Sequence, residues 1–206
     1  MITIEHNVNL LPYNTFRISA KADYFTSIQS LDEFKELLEN PVYRTQRRLI
    51  LGGGSNILLT GDFHGIVIKV NLTGITKVDE TEEHITVKVG AGENWHAFVM
   101  YCVKNNWGGV ENLSLIPGTV GAAPIQNIGA YGVEVKEVIK NVEGVNLETG
   151  EVQSFNKQQC AFGYRESIFK HALKEKFFIS SVTLTLTKKN HQFNTSYSPL
   201  QTLLST

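Results

Sequence analysis

Residues 51–56 read Leu-Gly-Gly-Gly-Ser-Asn and lie between two short apolar runs, 48–51 and 57–59. Three consecutive glycines permit positive φ angles and leave no Cβ in the way of a bound group. Successive backbone N–H groups in such a turn form a concave anion site suited to a phosphate or diphosphate, and Ser55 and Asn56 add side-chain donors. The pattern therefore predicts either a phosphate-binding turn or a tight turn between two strands that binds nothing.

Two common nucleotide-binding loops do not match this turn. A P-loop needs Gly-Lys-Ser/Thr, which does not follow here. A dinucleotide-binding fingerprint needs a glycine where Ile57 stands, and a helix where a strand-like apolar run begins. A P-loop kinase and a Rossmann dehydrogenase are therefore disfavoured.

Upstream of the turn, the sequence predicts one helix. Ser30 and Glu33 have the spacing of a capping box, in which each side chain accepts a hydrogen bond from the other residue's backbone N–H. Asn40-Pro41 ends the helix. The apolar residues at helical spacing are Leu31, Phe34, Leu37 and Leu38. Strands are predicted over 48–51, 57–59 and 65–70, and this block ends near residue 74.

The second block begins with a strand over 85–89, whose residues alternate between apolar and polar. A helix follows and ends at Gly108-Gly109. The apolar face of this helix comprises Trp95, Phe98, Val99, Cys102 and Val103. A hairpin is predicted from 138–147 and 152–155, and a final strand over 178–186.

Strands outnumber helices and mostly follow one another, which favours the α+β class. The boundary between the two blocks, near residue 74, divides the chain into two predicted subdomains, residues 1–74 and 75–206. The 206 residues are 42% hydrophobic and 19% charged. This is an ordinary globular composition, in a chain long enough to bury a core without disulfides.

The charge balance and the ends of the chain bear on its partners. The formal net charge is −1, so no basic field points to nucleic acid or to an anionic membrane surface. The sequence shows no signal-peptide layout and no apolar stretch of about 18 residues. Two cysteines give no disulfide framework and suit a reducing compartment. These features predict a cytoplasmic protein with neither a nucleic-acid nor a membrane partner.

A second candidate segment, residues 113–132, has no clear period. It is uncharged and rich in Gly, Ala, Pro, Asn and Gln. Its small residues let the backbone approach a large planar or phosphorylated group, and Gln126, Asn127 and Tyr131 offer donors and acceptors. Loops longer than about 12–15 residues are usually functional or disordered, and the Ile, Val and Ala content disfavours disorder. The alternative is a crossover buried under the sheet.

A third candidate is Arg165, within Phe-Gly-Tyr-Arg-Glu-Ser (162–167). An arginine beside an aromatic residue can present paired donors to a carboxylate or phosphate. The alternative is a solvated ion pair with Glu166. No metal site is predicted, because the histidines are scattered, Cys102 falls on the apolar helix face and Cys160 has no partner at metal or redox spacing.

Together these segments resemble one enzyme family, in one order along nearly the whole chain. The matching motifs are Pro-Tyr-Asn-Thr-Phe (12–16), Leu-Gly-Gly-Gly-Ser-Asn (51–56), Gly-Ala-Gly-Glu-Asn-Trp-His (90–96), Ile-Pro-Gly (116–118), Pro-Ile-Gln-Asn-Ile-Gly-Ala-Tyr-Gly (124–132) and Phe-Gly-Tyr-Arg-Glu-Ser-Ile-Phe-Lys (162–170). The chain resembles the N-terminal, FAD-binding portion of the UDP-N-acetylenolpyruvoylglucosamine reductases, also called UDP-N-acetylmuramate dehydrogenases. The resemblance implies the FAD-binding fold of the vanillyl-alcohol oxidase type, in which two subdomains clasp an extended FAD.

The resemblance also implies a reaction and its residues. Enzymes of this family serve peptidoglycan precursor synthesis and use FAD, reduced by NADPH, to convert UDP-N-acetylglucosamine enolpyruvate to UDP-N-acetylmuramate. Arg165 matches the catalytic arginine, which would hold the enolpyruvyl carboxylate, while Tyr164 and Tyr197 would contact the substrate. The residues in the segments that match the family's FAD contacts are Gly52, Gly53, Gly54, Ser55, Asn56, Ile116, Pro117, Gly118, Thr119, Gly121, Ala122, Ala123, Gln126, Asn127, Gly129, Ala130 and Tyr131.

One departure from the family pattern limits the expected activity. The family's proton-donating serine, in a Gly-Ser-Phe-Phe-type segment, and its later glutamate have no counterpart after Arg165. We therefore expect a monomer that lacks the C-terminal substrate domain, with an element interrupted over 198–206, and that binds FAD with little or no turnover. Another FAD-dependent oxidase of the same superfamily and a non-catalytic flavin- or nucleotide-binding module are the alternatives.

Overall fold

The computed structural model describes residues 2–197 and 201–202, so most of the element expected over 198–206 lies outside the described residues. The strands are β1 (Glu5–Asn9), β2 (Lys21–Ile28), β3 (Arg48–Leu51), β4 (Phe63–Val70), β5 (Ile75–Glu80), β6 (His84–Gly90), β7 (Gly129–Ala130), β8 (Val133–Glu134), β9 (Ile139–Asn146), β10 (Val152–Asn156) and β11 (Phe177–Thr187). The α-helices are α1 (Leu31–Glu39), α2 (Pro41–Thr45) and α3 (Trp95–Lys104). The predicted α+β class is confirmed. In the part of the chain that the structure describes, no helix has the length and apolar composition to cross a bilayer.

The first sheet has the order β1-β2-β4-β3. β1 is antiparallel to β2, whereas β2 and β3 both run parallel to β4. Parallel neighbours need a connection that returns the chain to the other end of the sheet. Residues 52–62 make this return between β3 and β4, and both edges of β4 are already paired. The strand predicted over 57–59 is therefore wrong: these residues form an irregular crossover.

Helix α1 follows its predicted pattern with one difference at the cap. The Ser30 hydroxyl accepts a hydrogen bond from the Glu33 amide at 3.2 Å. The Glu33 carboxylate accepts from the amide of Gln29 at 2.6 Å, and not from Ser30 as a capping box requires. Phe34 and Leu37 of the apolar face are fully buried, so the helix is held mainly by packing.

The second sheet is antiparallel, with the order β10-β9-β11-β6-β5. The predicted hairpin is confirmed as β9 and β10. The predicted final strand is confirmed as β11, which pairs with both β6 and β9 at the centre of the sheet. Its alternating residues Val182, Leu184 and Leu186 are buried.

One hydrophobic cluster joins the two sheets. The Phe34 ring on α1 packs edge-to-face on the Phe178 ring of β11, with centroids 4.8 Å apart. The Tyr43 hydroxyl of α2 donates to the Leu147 carbonyl that follows β9. All strands of the first sheet come before residue 74 in sequence and all strands of the second come after it. The hydrophobic core, however, contains residues from both parts of the chain. The division into 1–74 and 75–206 stays a prediction.

Helix α3 is shorter than its pattern indicates. It ends at Lys104, because Asn106 has a left-handed φ of 57° and the Trp107 amide turns back to the Cys102 carbonyl at 2.9 Å. The predicted end at Gly108-Gly109 is therefore too late. Val103, predicted on the apolar face, is 48% exposed.

Candidate functional site

The glycine turn at 52–56 is fixed from behind by the segment around Tyr13. Gly54 has a φ of 66°, and a Cβ there would lie 1.9 Å from the Tyr13 carbonyl oxygen. Only glycine fits such an approach. Asn14, itself buried, holds this segment by donating to the Leu10 and Ile18 carbonyls at 2.8 and 3.0 Å. This contact explains why a Tyr-Asn pair far upstream accompanies the glycine turn.

The turn lies directly against the second candidate segment. A Cβ on Gly53 would be 3.0 Å from Gly118 Cα. The Ser55 hydroxyl donates to the Pro117 carbonyl at 3.1 Å, and the Asn56 side-chain amide reaches Gln126 Oε1 at 3.4 Å. Two segments more than 60 residues apart in sequence therefore form one site.

Four consecutive backbone amides of the turn have no acceptor in the described part of the chain. Among residues 2–197 and 201–202, the N–H groups of Gly53, Gly54, Ser55 and Asn56 donate to nothing. Unpaired successive amides in a glycine-rich turn form an anion-binding concavity. The Lys69 ammonium donates to the Gly52 carbonyl at 2.7 Å, and burial lowers the pKa of this lysine. A diphosphate fits this arrangement of donors.

A cavity of about 510 Å³ opens between the two segments. Its walls are mostly apolar, with hydroxyl, amide and ammonium groups at a few points. The lining residues are Ser55, Asn56, Trp95, Ile116, Pro117, Thr119, Ala122, Ala123, Ile125, Gln126, Ile128 and Lys170. Volumes of about 300–1,000 Å³ with apolar walls and few polar groups are typical of cofactor sites. The residues present therefore fit a large, partly planar cofactor that carries phosphate.

Thirteen of the seventeen predicted cofactor contacts line three cavities, whereas Gly53, Gly54, Gly118 and Asn127 line none of the three. Eight of them line this large cavity. Gly52, Gly121 and again Thr119 and Ala122 line a neighbouring cavity of about 130 Å³, and Gly129, Ala130 and Tyr131 line a third of about 370 Å³.

Sequence reasoning did not select Trp95, Ile125, Ile128 or Lys170, which also line the large cavity. All four lie in motifs that carried the family resemblance, so the signal was present in the sequence. The indole N–H of Trp95 donates to the Leu113 carbonyl at 2.8 Å and so fixes the start of the second segment.

Asn127 is placed differently from the other predicted contacts. Its side chain is fully buried. It donates to the Gly163 carbonyl at 2.9 Å and accepts from the Lys136 amide at 3.1 Å. Both polar atoms are therefore used within the protein, and the side chain positions the loop that carries Arg165 instead of facing a ligand.

Arg165 lies in a tight turn closed by two backbone hydrogen bonds between Gly163 and Glu166, at 3.0 and 3.3 Å. Its φ is 56°, in the left-handed region that residues other than glycine rarely adopt. The guanidinium donates to the Gly129 carbonyl at 2.6 Å. Glu166 instead pairs with Lys170 and His171, so the alternative of an Arg165–Glu166 ion pair is wrong.

The third cavity brings the predicted substrate residues together. Tyr164 and Arg165 line it beside Tyr131, and Tyr164 is 83% exposed. Tyr197 lines none of the three cavities, but its ring packs edge-to-face on the Tyr131 ring with centroids 5.3 Å apart. The cavity thus combines a guanidinium and phenol groups with the carboxylates of Glu134 and Glu137. The guanidinium is the group in this set that can pair with an anionic part of a ligand.

The thiols take no part in the site. Cys102 and Cys160 are both buried, and burial raises the pKa of each to about 12. At neutral pH both are protonated and unreactive. In the described part of the chain, no group of three or more His, Cys, Asp or Glu side chains is arranged to hold a metal ion.

Comparison with known proteins agrees with this geometry. The family described as FAD binding domain matches residues 22–156. The UDP-N-acetylenolpyruvoylglucosamine reductase of Amoebophilus asiaticus is 48% identical over 202 residues, which cover 98% of this chain and 59% of that protein. The reductase of the same name from Flavobacterium johnsoniae is 47% identical over 94% of this chain and 57% of its own length. The chain therefore spans less than two thirds of these relatives.

Two solved structures show the same fold. The crystal structure of UDP-N-acetylenolpyruvylglucosamine reductase from Thermus caldophilus superposes with a TM-score of 0.71 at 21% identity, over 100% of this chain and 69% of that one. A solvent-stable cholesterol oxidase superposes with a TM-score of 0.64 at 14% identity, over 91% of this chain and 38% of that one. The predicted resemblance and the predicted FAD-binding fold of the vanillyl-alcohol oxidase type are confirmed.

Proposed function

The chain belongs to the FAD binding domain family, and on that premise we propose that it holds FAD between the glycine turn and the 116–128 segment. The observation that carries the proposal is the set of four amides at Gly53–Asn56 that have no acceptor among the described residues, in a turn whose Ser55 and Asn56 line the large cavity. These amides would hold the diphosphate, and the apolar walls of the cavity would hold a planar ring. When bound, FAD supplies hydride-transfer chemistry.

We further propose that the whole protein of which these residues form part is a UDP-N-acetylenolpyruvoylglucosamine reductase, with NADPH as electron donor. Two relatives that bear this name are 47–48% identical to the chain. The substrate would be UDP-N-acetylglucosamine enolpyruvate, which carries a carboxylate on its enolpyruvyl group.

The surroundings of Arg165 support a role in holding this carboxylate. A guanidinium has five N–H donors, and the Gly129 carbonyl takes one of them. Arg165 also lines a cavity of about 370 Å³, where the remaining donors would be available to a ligand. A paired hydrogen bond to the carboxylate would orient the substrate and stabilise negative charge that develops during its reduction.

Binding of the cofactor is tested on the purified 206-residue chain. FAD is titrated and followed by quenching of flavin fluorescence, with riboflavin, which lacks the diphosphate together with the adenosine, as the comparison ligand. We expect FAD to bind at least about tenfold more tightly than riboflavin, because only FAD can use the amides of the turn. No uptake of FAD would contradict the cofactor proposal. Equal affinities would contradict the role of the turn.

The reductase proposal is tested by NADPH oxidation with and without the enolpyruvyl nucleotide, with the product identified by mass spectrometry. The assay uses both the 206-residue chain and a relative of full length. Stimulation in the full-length relative only would support the expectation of little or no turnover in the shorter chain. The monomeric state and the cytoplasmic location stay predictions.

A further inference from the structure

Lys170 links the large cavity to the turn that carries Arg165. It belongs to a single turn of 3-10 helix, Ile168–Lys170, and lines the large cavity between the glycine turn and the 116–128 segment. Its ammonium donates to the Arg165 carbonyl at 3.1 Å and to Glu166 Oε1 at 3.0 Å. One side chain therefore contacts both the cofactor cavity and the turn that carries Arg165.

The ammonium retains a donor for a ligand. It has three N–H groups, and two of them meet the Arg165 and Glu166 acceptors. The third has no acceptor among the described residues. Because Lys170 lines the cavity, an acceptor oxygen of a ligand there can take this third N–H.

The Arg165 turn needs such an anchor. Arg165 occupies the left-handed region with a φ of 56°, where a residue with a side chain is strained. Its guanidinium is held by the Gly129 carbonyl and its own carbonyl by Lys170. The side chains of Lys170 and Glu166 are 45% and 41% exposed. Because exposed ion pairs are weak, Glu166 alone holds the ammonium only weakly when no ligand is bound.

We propose that Lys170 is a positioning residue that couples occupancy of the cofactor cavity to the geometry of Arg165. A ligand oxygen that takes the third N–H fixes the ammonium, which in turn fixes the Arg165 carbonyl and the orientation of the guanidinium. The inference rests on the proposed binding of FAD and names the residue through which the bound cofactor prepares the substrate site.

The test compares Lys170→Met with Lys174→Met and with the unchanged chain. Both variants lose one positive charge, and the exposed Lys174 lines none of the three cavities of the site. We expect Lys170→Met to bind FAD about 10- to 100-fold more weakly, the effect of losing one charge-assisted hydrogen bond. Lys174→Met should bind within about twofold of the unchanged chain.

Hydrogen exchange provides the readout that simple loss of affinity would not move. The amides of Gly163 and Glu166 close the Arg165 turn. At saturating FAD they should gain protection in the unchanged chain and in Lys174→Met, but not in Lys170→Met. Equal protection in all three, or unchanged FAD affinity of Lys170→Met, overturns the inference and leaves FAD binding intact. An unchanged chain that takes up no FAD overturns the proposed function, and this inference with it.

Discussion

A single methyl group added at Gly53 would lie between the two segments that form the large cavity. The Cβ of Gly53→Ala would be 3.0 Å from Gly118 Cα and 3.3 Å from the Gly118 carbonyl carbon, where ordinary contacts begin at 3.4 Å. Gly53 does not have a left-handed φ, so the substitution strains no backbone angle. Its whole effect is to push the turn and the second segment apart by about 0.4 Å.

The size of the effect follows from this displacement. Overpacking of a close contact costs about 1–3 kcal/mol, and for a chain of this length each kcal/mol lowers Tm by about 2–4 °C. We expect a larger effect on FAD, because the displaced turn carries the four unpaired amides. Loss of one hydrogen bond to a charged phosphate costs about 1.5–3 kcal/mol, or at least about tenfold in affinity.

The assay combines thermal unfolding with FAD titration of Gly53→Ala. Gly61→Ala is the matched control, because a Cβ at Gly61 meets no atom within 4 Å and the residue lies in the same connection to β4. We expect the control to keep both Tm and FAD affinity. Unchanged FAD affinity in Gly53→Ala, or equal losses in the two variants, would refute the role given to this contact.

Three further predictions concern the Arg165 loop. Arg165→Gly should be about 1 kcal/mol more stable than Arg165→Ala in urea unfolding. Both variants lose the guanidinium, but only glycine relieves the strain of the left-handed φ. Equal stabilities would show that the turn is unstrained. Asn127→Ala should lose about 1–3 kcal/mol in urea unfolding, because the fully buried side chain makes two hydrogen bonds and its removal leaves the Lys136 amide without its acceptor; a loss below about 0.5 kcal/mol would contradict this. A hydrogen bond from Lys170 lowers the pKa of Glu166 from its ordinary value of 4.5. Ionised Glu166 therefore stabilises the fold fully above pH 4.5, and this stabilisation is lost as the pH falls through the lowered pKa. The Tm gap between the unchanged chain and Glu166→Gln should therefore narrow from about pH 6 to about pH 3, and a gap that widens would reverse the assigned sign.

The glycine turn was predictable from sequence, whereas its partners were not. Three glycines before Ser55 and Asn56 predict a tight turn, either one that binds a phosphate or one that binds nothing. Its partners are set by tertiary contacts: Gly54 approaches the Tyr13 carbonyl, and Ser55 donates to the Pro117 carbonyl. Local patterns carry no record of such pairings, so only the family resemblance linked these segments before the structure was known.

Side-chain direction explains the remaining differences. Asn127 and Gln126 are adjacent and chemically alike, yet Gln126 lines the large cavity and Asn127 is fully buried. In an irregular segment no period indicates which side chain points inward. Lys170 was not selected for a related reason: its contact with the Arg165 carbonyl is a feature of the folded chain that no sequence pattern indicates.

The position of β11 at the centre of the second sheet has a consequence for synthesis of the chain. β6 ends at Gly90 and its partner β11 begins at Phe177, about 90 residues later. At about 5–20 residues per second, the ribosome takes roughly 4–17 s to cover that distance. β6 presents an unpaired edge throughout this interval, and β9, which ends at Asn146, adds a second one in its last part. Unpaired edges are the kind of surface that aggregates or recruits chaperones. All strands of the first sheet have been made by Val70, so this sheet can form before the central strand of the second sheet has been synthesised.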